Sequence, residues 1–171
     1  MAHPLVLNII ELLRRPGADR SLAAQVPLAD LDIADDHRFA SDAEVDVVLR
    51  LEALSDGVVV EGQLHTPWHG TCRRCLRDTA GVVTSEVREV YQRTVTDPDA
   101  FELTSDQLDL RPLARELVLL DAPETPLCRP DCPGLCPTCG ADLNEATCAC
   151  TPAPKDDRWA ALEALKGRLE N

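Results

Sequence analysis

The sequence predicts an α+β fold, in which a small antiparallel β-sheet carries flanking short helices and a Cys-rich hairpin near the C-terminus. Apolar and polar residues alternate over residues 44–52, the period of a strand with one buried face. Apolar residues recur at helical spacing over residues 5–15 and again after Pro112. Six of the eight cysteines lie between Cys128 and Cys150, in a proline-rich stretch without apolar periodicity. Such a stretch cannot fold by burial alone.

The N-terminal part is predicted to begin with a short helix over residues 5–15. Asn8 is a candidate cap for this helix, and Pro16-Gly17 would end it, because proline cannot continue a helix. Residues 21–30 fit an extended segment that leads into a polar connection.

Two more strands are predicted after the one at residues 44–52. They cover residues 58–65 and residues 80–91, and the second of these also fits a helix. The loop between them contains Cys72 and Cys75. This cysteine pair is therefore expected at the tip between two antiparallel strands.

The remaining elements are a loop and two helices. Residues 94–109 are acidic and rich in turn formers, which indicates a loop. A helix is predicted from near Pro112 to Asp121, because proline suits the first helical turn. A last helix is predicted after a cap at Asp156 or Asp157.

Length and charge limit the class of protein. A chain of 171 residues forms one domain or one domain with a small appendage. It has no apolar run near the roughly 20 residues that span a bilayer, and its N-terminus lacks the pattern of a secretory signal. We therefore expect a cytoplasmic protein with no membrane partner. No small-molecule substrate is predicted.

The formal net charge of −13 is concentrated in acidic blocks at residues 31–62 and 94–127. Such blocks are typical of a solvated surface or of a surface for a basic partner. They disfavour general nucleic-acid binding, which needs clustered lysine and arginine side chains against the phosphates.

The cysteines indicate structural zinc. Cytosolic thiols are kept reduced, so disulfides are not expected, and zinc in a structural site takes four tetrahedral ligands. A pair at C-x-x-C spacing curls one loop around a metal, and Gly140 after the second cysteine allows the backbone to turn back towards the sulfurs. The first predicted zinc site consists of Cys136, Cys139, Cys148 and Cys150.

A second zinc site is predicted from the four remaining cysteines, and it would fasten the tip of the strands to the Cys-rich stretch. Its ligands are Cys72, Cys75, Cys128 and Cys132. Two zinc ions are thus expected. Other partitions stay open: one metal could be held by Cys128, Cys132, Cys136 and Cys139. His65 or His69 could replace a thiolate, and an iron–sulfur cluster uses the same ligand type.

The predicted organisation has three parts. Residues 1–127 form the α+β core, residues 128–150 form the zinc-binding hairpin that packs on the core through Cys72 and Cys75, and residues 151–171 form the C-terminal helix.

Three arginines surround the first cysteine pair: Arg73, Arg74 and Arg77. They either balance the negative charge of zinc-bound thiolates or contact RNA phosphates through their guanidinium groups.

The motifs TCRRCL, PLCRPDCPGLCPTCGADLN and DDRWAALEAL resemble, in this order, those of the DUF177 family, also called the YceD family. The resemblance implies a small acidic protein of the bacterial cytoplasm or of plastids. The family is associated with accumulation and processing of 23S ribosomal RNA, and its genes often lie beside that of a small basic large-subunit ribosomal protein. Some branches lack the second half of the Cys-rich stretch, which implies that the cysteines from Cys136 onward form an added zinc hairpin.

These expectations define a non-enzymatic, zinc-binding factor for 23S rRNA accumulation and large-subunit biogenesis. It would bind a basic ribosomal protein or precursor rRNA. The alternatives are a thiol- or metal-dependent enzyme, which would need an activated cysteine or an open metal position, and a zinc-stabilised adaptor unrelated to the ribosome.

Overall fold

A computed structural model describes residues 3–33, 35–151 and 158 of the chain. Within them two elements are α-helical, and one turn is a 3-10 helix. In chain order the elements are β1 (Val6–Asn8), α1 (Ile10–Leu13), β2 (Asp19–Pro27), the 3-10 helix (Leu28–Leu31), β3 (Glu44–Ala53), β4 (Gly57–Thr71), β5 (Asp78–Gln92), β6 (Phe101–Glu102), β7 (Gln107–Asp109) and α2 (Arg111–Asp121).

A five-stranded sheet with the order β2-β3-β4-β5-β6 forms the framework of the molecule. Its first four strands are antiparallel neighbours, and the short β6 runs parallel to β5. The strands β1 and β7 form a separate two-stranded antiparallel sheet. The predicted α+β class with a mainly antiparallel sheet is confirmed.

Alternation along the strands gives the sheet one buried face and one exposed face. In β3 the apolar residues from Val45 to Leu51 are buried at every second position, and the charged residues between them are exposed. The strand predicted over residues 44–52 is confirmed. We call the exposed face, with Asp46 and Arg50, the outer face of the sheet.

The long hairpin of β4 and β5 carries the site. Residues 80–91 form a strand and not the alternative helix, paired in continuous register with β4 from Gly57↔Gln92 to Thr71↔Asp78. The predicted strand over residues 58–65 is too short, because β4 continues through Pro67 to Thr71. Proline is tolerated there because β3 pairs with β4 only as far as His65.

The prediction of a helix over residues 5–15 is wrong for its first half. Leu5, Leu7 and Ile9 are buried at alternate positions, because this segment forms β1 and pairs with β7. The helix α1 has four residues only, and the side-chain oxygen of Asn8 accepts the N–H of Ile10 at 3.1 Å at its start. In this segment the alternation of buried residues, which suits a strand, decides the structure, and the helical spacing of the apolar residues does not.

The prediction of a loop over residues 94–109 is wrong in part, because β6 and β7 lie within it. Both are short: β6 pairs with the end of β5 just before it, and β7 pairs with the distant β1. The helix predicted from Pro112 to Asp121 is confirmed as α2. Apart from Arg158, the predicted C-terminal helix lies outside the described residues.

Arg38 fixes the C-terminal end of α2, from which the chain continues to the cysteines. Its guanidinium group donates to the carbonyl oxygens of Leu119 at 3.2 Å and Ala122 at 2.9 Å. The same group pairs with Asp36 at 2.7 Å and holds the pKa of that carboxyl below its usual value. None of the described helices is long and apolar enough to cross a membrane.

Candidate metal centres

The sulfur atoms of the eight cysteines lie in two sets of four. In each set all four sulfurs are within 4.8 Å of one another. We name the two sets the first cysteine cluster and the second cysteine cluster. The first consists of Cys72, Cys75, Cys128 and Cys132, and the second of Cys136, Cys139, Cys148 and Cys150.

The spacing of sulfurs in the first cysteine cluster suits zinc. The Sγ atoms of Cys75 and Cys128 are 3.6 Å apart, and those of Cys72 and Cys132 are 3.9 Å apart. A tetrahedron with Zn–S bonds of 2.3 Å requires about 3.8 Å between sulfurs, whereas a disulfide requires about 2.05 Å. The thiols are free, and the donor set fits one zinc ion.

The first cysteine pair lies in a tight loop at the tip of the β4–β5 hairpin. The N–H of Leu76 donates to the carbonyl of Cys72 at 2.9 Å, and the N–H of Cys72 donates to the carbonyl of Arg77 at 2.7 Å. Leu76 has a φ of 61°, in the left-handed region that a leucine rarely adopts. The loop thus turns both sulfurs towards the same point.

The second cysteine cluster begins with a loop of the same kind. The N–H of Gly140 donates to the carbonyl of Cys136 at 2.9 Å, and Gly140 has a φ of 74°. Thr138 donates its N–H to the Cys136 sulfur at 3.4 Å. A bridge between Leu135 and Asp142 closes this turn into a hairpin.

Backbone hydrogen bonds join the Cys-rich stretch to the tip of the β4–β5 hairpin. The N–H of Arg73 donates to the carbonyl of Pro126 at 3.0 Å, and the N–H of Leu135 donates to the carbonyl of Arg74 at 3.1 Å. At Gly134 a Cβ atom would lie 2.9 Å from that same carbonyl oxygen, and its φ is 80°. Only glycine allows this approach without a shift of backbone.

Asn144 joins the hairpin of the second cysteine cluster to a sulfur of the first cysteine cluster. Its side-chain amide donates to the Cys132 sulfur at 3.3 Å and to Asp142 at 2.7 Å. Burial opposes ionisation of Cys132, but hydrogen bonds from this amide, from the Gly134 N–H and with neighbouring thiols outweigh it, so the pKa of the thiol is lowered. Nothing in the spacing of the cysteines indicated a role for Asn144.

The two clusters share an electrostatic pattern. Hydrogen bonds from backbone N–H groups, chiefly that of Cys128, lower the pKa of Cys72 to about 6. In the second cysteine cluster the N–H groups of Cys139 and Thr138 lower the pKa of Cys136 to about 6. Desolvation, together with hydrogen bonds to the other thiols, raises the pKa of Cys128 to about 12. The thiols with a lowered pKa therefore oppose ionisation of their neighbours, and a bound cation would allow all four thiols of a cluster to ionise.

The structure places the predicted ligands in the two sets that were preferred from the sequence. The alternative set of Cys128, Cys132, Cys136 and Cys139 is not formed. His65 and His69 belong to neither cluster. That these thiols bind metal stays a prediction.

The three arginines differ in their contacts. The Arg74 side chain donates to the carbonyl of Cys132 at 2.8 Å, and Arg77 pairs with Asp142 and with Glu145, each at 2.6 Å. Arg73 makes a long contact of 3.5 Å to the Thr125 hydroxyl. Two of the guanidinium groups thus join the Cys-rich stretch to the sheet. Their contact with RNA stays a prediction.

Fold and site together define the class of protein. It is a small α+β protein in which the tip of the sheet and the Cys-rich stretch bring eight cysteines into two clusters of four thiols. Residues 60–166 match the family model described as "Large ribosomal RNA subunit accumulation protein YceD". The chain belongs to the YceD family, as its motifs indicated. The matched residues include both cysteine clusters.

The relatives are bacterial and plant proteins. The uncharacterized protein Rv2926c of Mycobacterium tuberculosis is 33% identical over 178 residues, covering 98% of this chain and 84% of its own length. The uncharacterized protein ML1660 of Mycobacterium leprae is 32% identical, covering 84% of this chain and 69% of its own. A Zea mays protein, "Large ribosomal RNA subunit accumulation protein YCED homolog 1, chloroplastic", is 36% identical over 67 residues, which are 39% of this chain and 22% of the maize protein. No solved structure matches the chain.

Proposed function

We propose that this protein is a non-enzymatic, zinc-binding factor for accumulation of 23S rRNA and assembly of the large ribosomal subunit. It acts in the cytoplasm and binds a basic ribosomal protein or precursor rRNA. The proposal rests chiefly on the family match, which includes both cysteine clusters. The name of the maize relative supports the link to large-subunit RNA.

The zinc part of the proposal is supported by the sulfur distances of 3.6 and 3.9 Å in the first cysteine cluster. Four thiolates form a closed site without an open position for substrate, which is typical of structural zinc. Metal analysis of the anaerobically purified protein should find two zinc ions per chain. Iron in place of zinc, or a chain that is folded without metal, would contradict this part.

The non-enzymatic part is supported by the burial of the most acidic thiols. A catalytic thiol needs both a low pKa and access to its substrate. Cys72 has a relative exposure of 0% and Cys136 of 5%, so neither is accessible to a substrate. Iodoacetamide should therefore label both slowly in the native protein. Fast labelling of Cys72 with the metal retained would favour the thiol-enzyme alternative.

The ribosomal part is tested by affinity purification of the tagged full-length protein at about 0.05 M and about 0.3 M salt, between which screening changes strongly. Capture of a large-subunit ribosomal protein, or of precursor 23S rRNA, supports the corresponding version. Capture of neither at both salt concentrations would contradict the proposal, and the adaptor alternative would then be preferred.

A further inference from the structure

We propose that a groove in the outer face of the sheet binds a basic protein segment through a lysine or arginine side chain. This inference rests on the proposed function and specifies the surface that its protein-binding version would use. We call this feature the outer groove. The residues that carry the inference are Asp42, Glu44, Asp46, Pro67 and Val82, all of which line it.

The outer groove exists because two strands separate. Asp46↔His65 is the last pair between β3 and β4, whereas β4 stays paired with β5 up to Thr71↔Asp78. The segment before β3 runs beside the unpaired part of β4, where the N–H of His69 donates to the carbonyl of Arg38 at 2.9 Å. The result is a depression with a volume of about 540 Å³.

Three carboxylates stand at this depression without a cation. Within the described part of the chain, none of the ion pairs involves Asp42, Glu44 or Asp46. Asp46 accepts a hydrogen bond from the neutral amide of Gln25 at 2.8 Å. This amide does not neutralise the negative charge.

The arginines elsewhere on the outer face have acidic partners of their own. Arg50 lies 3.4 Å from Asp19 and 3.6 Å from Glu52, and Arg88 lies 3.6 Å from Glu61. The negative charge of the outer groove is therefore not balanced by these arginines. A basic ligand would supply the missing countercharge.

The floor of the outer groove is apolar. Val82 of β5 has a relative exposure of 63%, and Pro67, which is paired with it across the hairpin, is also exposed. Apolar surface beside carboxylates fits a lysine or arginine side chain, whose methylene stem packs on apolar atoms while its charged end remains near the carboxylates. Nucleic acid does not fit, because its phosphates would face three carboxylates.

The test uses proteins extracted from purified large ribosomal subunits and freed of RNA as the probe. The bait is the full-length, zinc-loaded protein, as wild type or with the groove substitutions Asp42→Asn, Glu44→Gln and Asp46→Asn. The control carries Asp97→Asn, Asp99→Asn and Glu102→Gln, which remove the same charge from an exposed segment. Captured proteins are identified and quantified by mass spectrometry.

We expect wild type and control to capture the same basic protein and the groove variant to capture it at least about tenfold more weakly, as three lost charge contacts predict. A second variant, Val82→Lys, should also bind more weakly, because its ammonium group would occupy the site of the ligand's charge. Zinc content and melting temperature of every variant should equal those of wild type, so that loss of binding is not loss of fold.

The failures are distinguishable. If wild type, groove variant and control capture the same protein equally well, the proposed function stands and the outer groove is not its binding site. If none captures a ribosomal protein but wild type binds precursor 23S rRNA in a parallel assay, the RNA version stands and this inference is wrong. If wild type captures neither protein nor RNA, both are wrong.

Discussion

Each of the two cysteine clusters consists of four thiols and begins with the same kind of turn, yet the clusters hold different parts of the molecule. The first cysteine cluster joins residues that are distant in sequence, since Cys75 and Cys128 are 53 positions apart. The second takes its ligands from one short stretch that begins at Cys136 and ends at Cys150. A metal in the first closes a long loop, and a metal in the second closes a short one.

Burial follows the same division. Three of the four residues in the first cysteine cluster are buried, and Leu127 and Leu135 pack against them. In the second cysteine cluster one residue is buried, two are intermediate and Cys139 is exposed. The first cluster is therefore part of the packed fold, whereas the second shapes a hairpin on its surface. We expect the two to differ most in what their metals contribute to stability.

The largest expected difference is between Cys75→Ser and Cys139→Ser. Each should remove one zinc ion per chain, because three thiolates hold zinc much more weakly than four. Cys75→Ser should also lower the free energy of unfolding by about 4 kcal/mol or more, since it releases the Cys-rich stretch from the sheet. Cys139→Ser should lower it by less than about 1 kcal/mol, because its cluster is local.

Metal analysis and urea unfolding monitored by circular dichroism measure both effects, and each variant is the control for the other. Equal destabilisation by the two substitutions would show that the clusters are not distinct in this way. Unchanged metal content in both would contradict the structural role of the thiols altogether.

Acidification should affect the two clusters over the same pH range but at different rates. Cys72 and Cys136 both have a pKa lowered to about 6. A lowered pKa stabilises the thiolate above that value, and a bound cation keeps the thiolates ionised to still lower pH, so metal should be retained at about pH 6 and lost as the pH falls further. The more exposed second cluster should lose its metal faster, because protons and chelator reach it more easily.

Stopped-flow mixing with a chromogenic chelator at a series of pH values separates the two phases, and Cys139→Ser, which lacks the second metal, identifies which phase belongs to which cluster. A single phase at every pH would mean that the clusters open together.

A smaller effect on stability is expected from the ion pair that joins the hairpin of the second cysteine cluster to the tip of the β4–β5 hairpin. Arg77 pairs with Asp142 at 2.6 Å, and the two side chains are 43% and 18% exposed. Solvent screening of such a pair limits its contribution to about 0.5–1 kcal/mol. In a double-mutant cycle of Arg77→Gln and Asp142→Asn, we expect a coupling energy of this size and faster loss of the second metal.

Arg111→Gln is the matched control, because Arg111 pairs with Asp109 at the same distance of 2.6 Å, has a similar exposure of 46% and, among the described residues, makes no hydrogen bond or ion pair with either cysteine cluster. The control should not change the rate of metal loss. If Arg111→Gln accelerates metal loss as much as Arg77→Gln does, the ion pair of Arg77 with Asp142 has no specific role in holding the second metal.

The two C-x-x-C pairs could be recognised from the sequence because this spacing is a local signal, and the preferred grouping followed from them. The alternative grouping stayed open, because the contact of Cys72 and Cys75 with Cys128 and Cys132 depends on how distant segments pack.

The strand β3 could also be recognised from a local signal, since apolar residues occupy every second position from Val45 to Leu51 and Val48 is the one apolar residue on the exposed face of that stretch. The β1 segment failed for a physical reason. Leu5, Leu7 and Ile9 fit period two, but the neighbouring apolar residues also fit a helix, and only pairing with the distant β7 decides between them.

The outer groove and the role of Asn144 could not be predicted, because both depend on register and chain crossing. The groove requires knowledge that β3 leaves β4 at His65. The contact of Asn144 with Cys132 depends on how the hairpin folds back over the first cysteine cluster. Neither is encoded in a local pattern.

The smallest expected effect concerns the residue after each C-x-x-C pair, which is Leu76 in one turn and Gly140 in the other. Both have positive φ, at 61° and 74°, and both donate their N–H to the carbonyl of the first cysteine of the pair. A leucine in this conformation is strained by about 1 kcal/mol, and its side chain is 65% exposed, so it returns little by packing. Leu76→Gly should therefore stabilise the protein by up to about 0.5 kcal/mol, after the entropy that glycine loses on folding. Gly140→Ala should destabilise it by about 1 kcal/mol. Urea unfolding of the zinc-loaded variants measures both, and destabilisation by Leu76→Gly would mean that the exposed leucine contributes a contact that outweighs its strain.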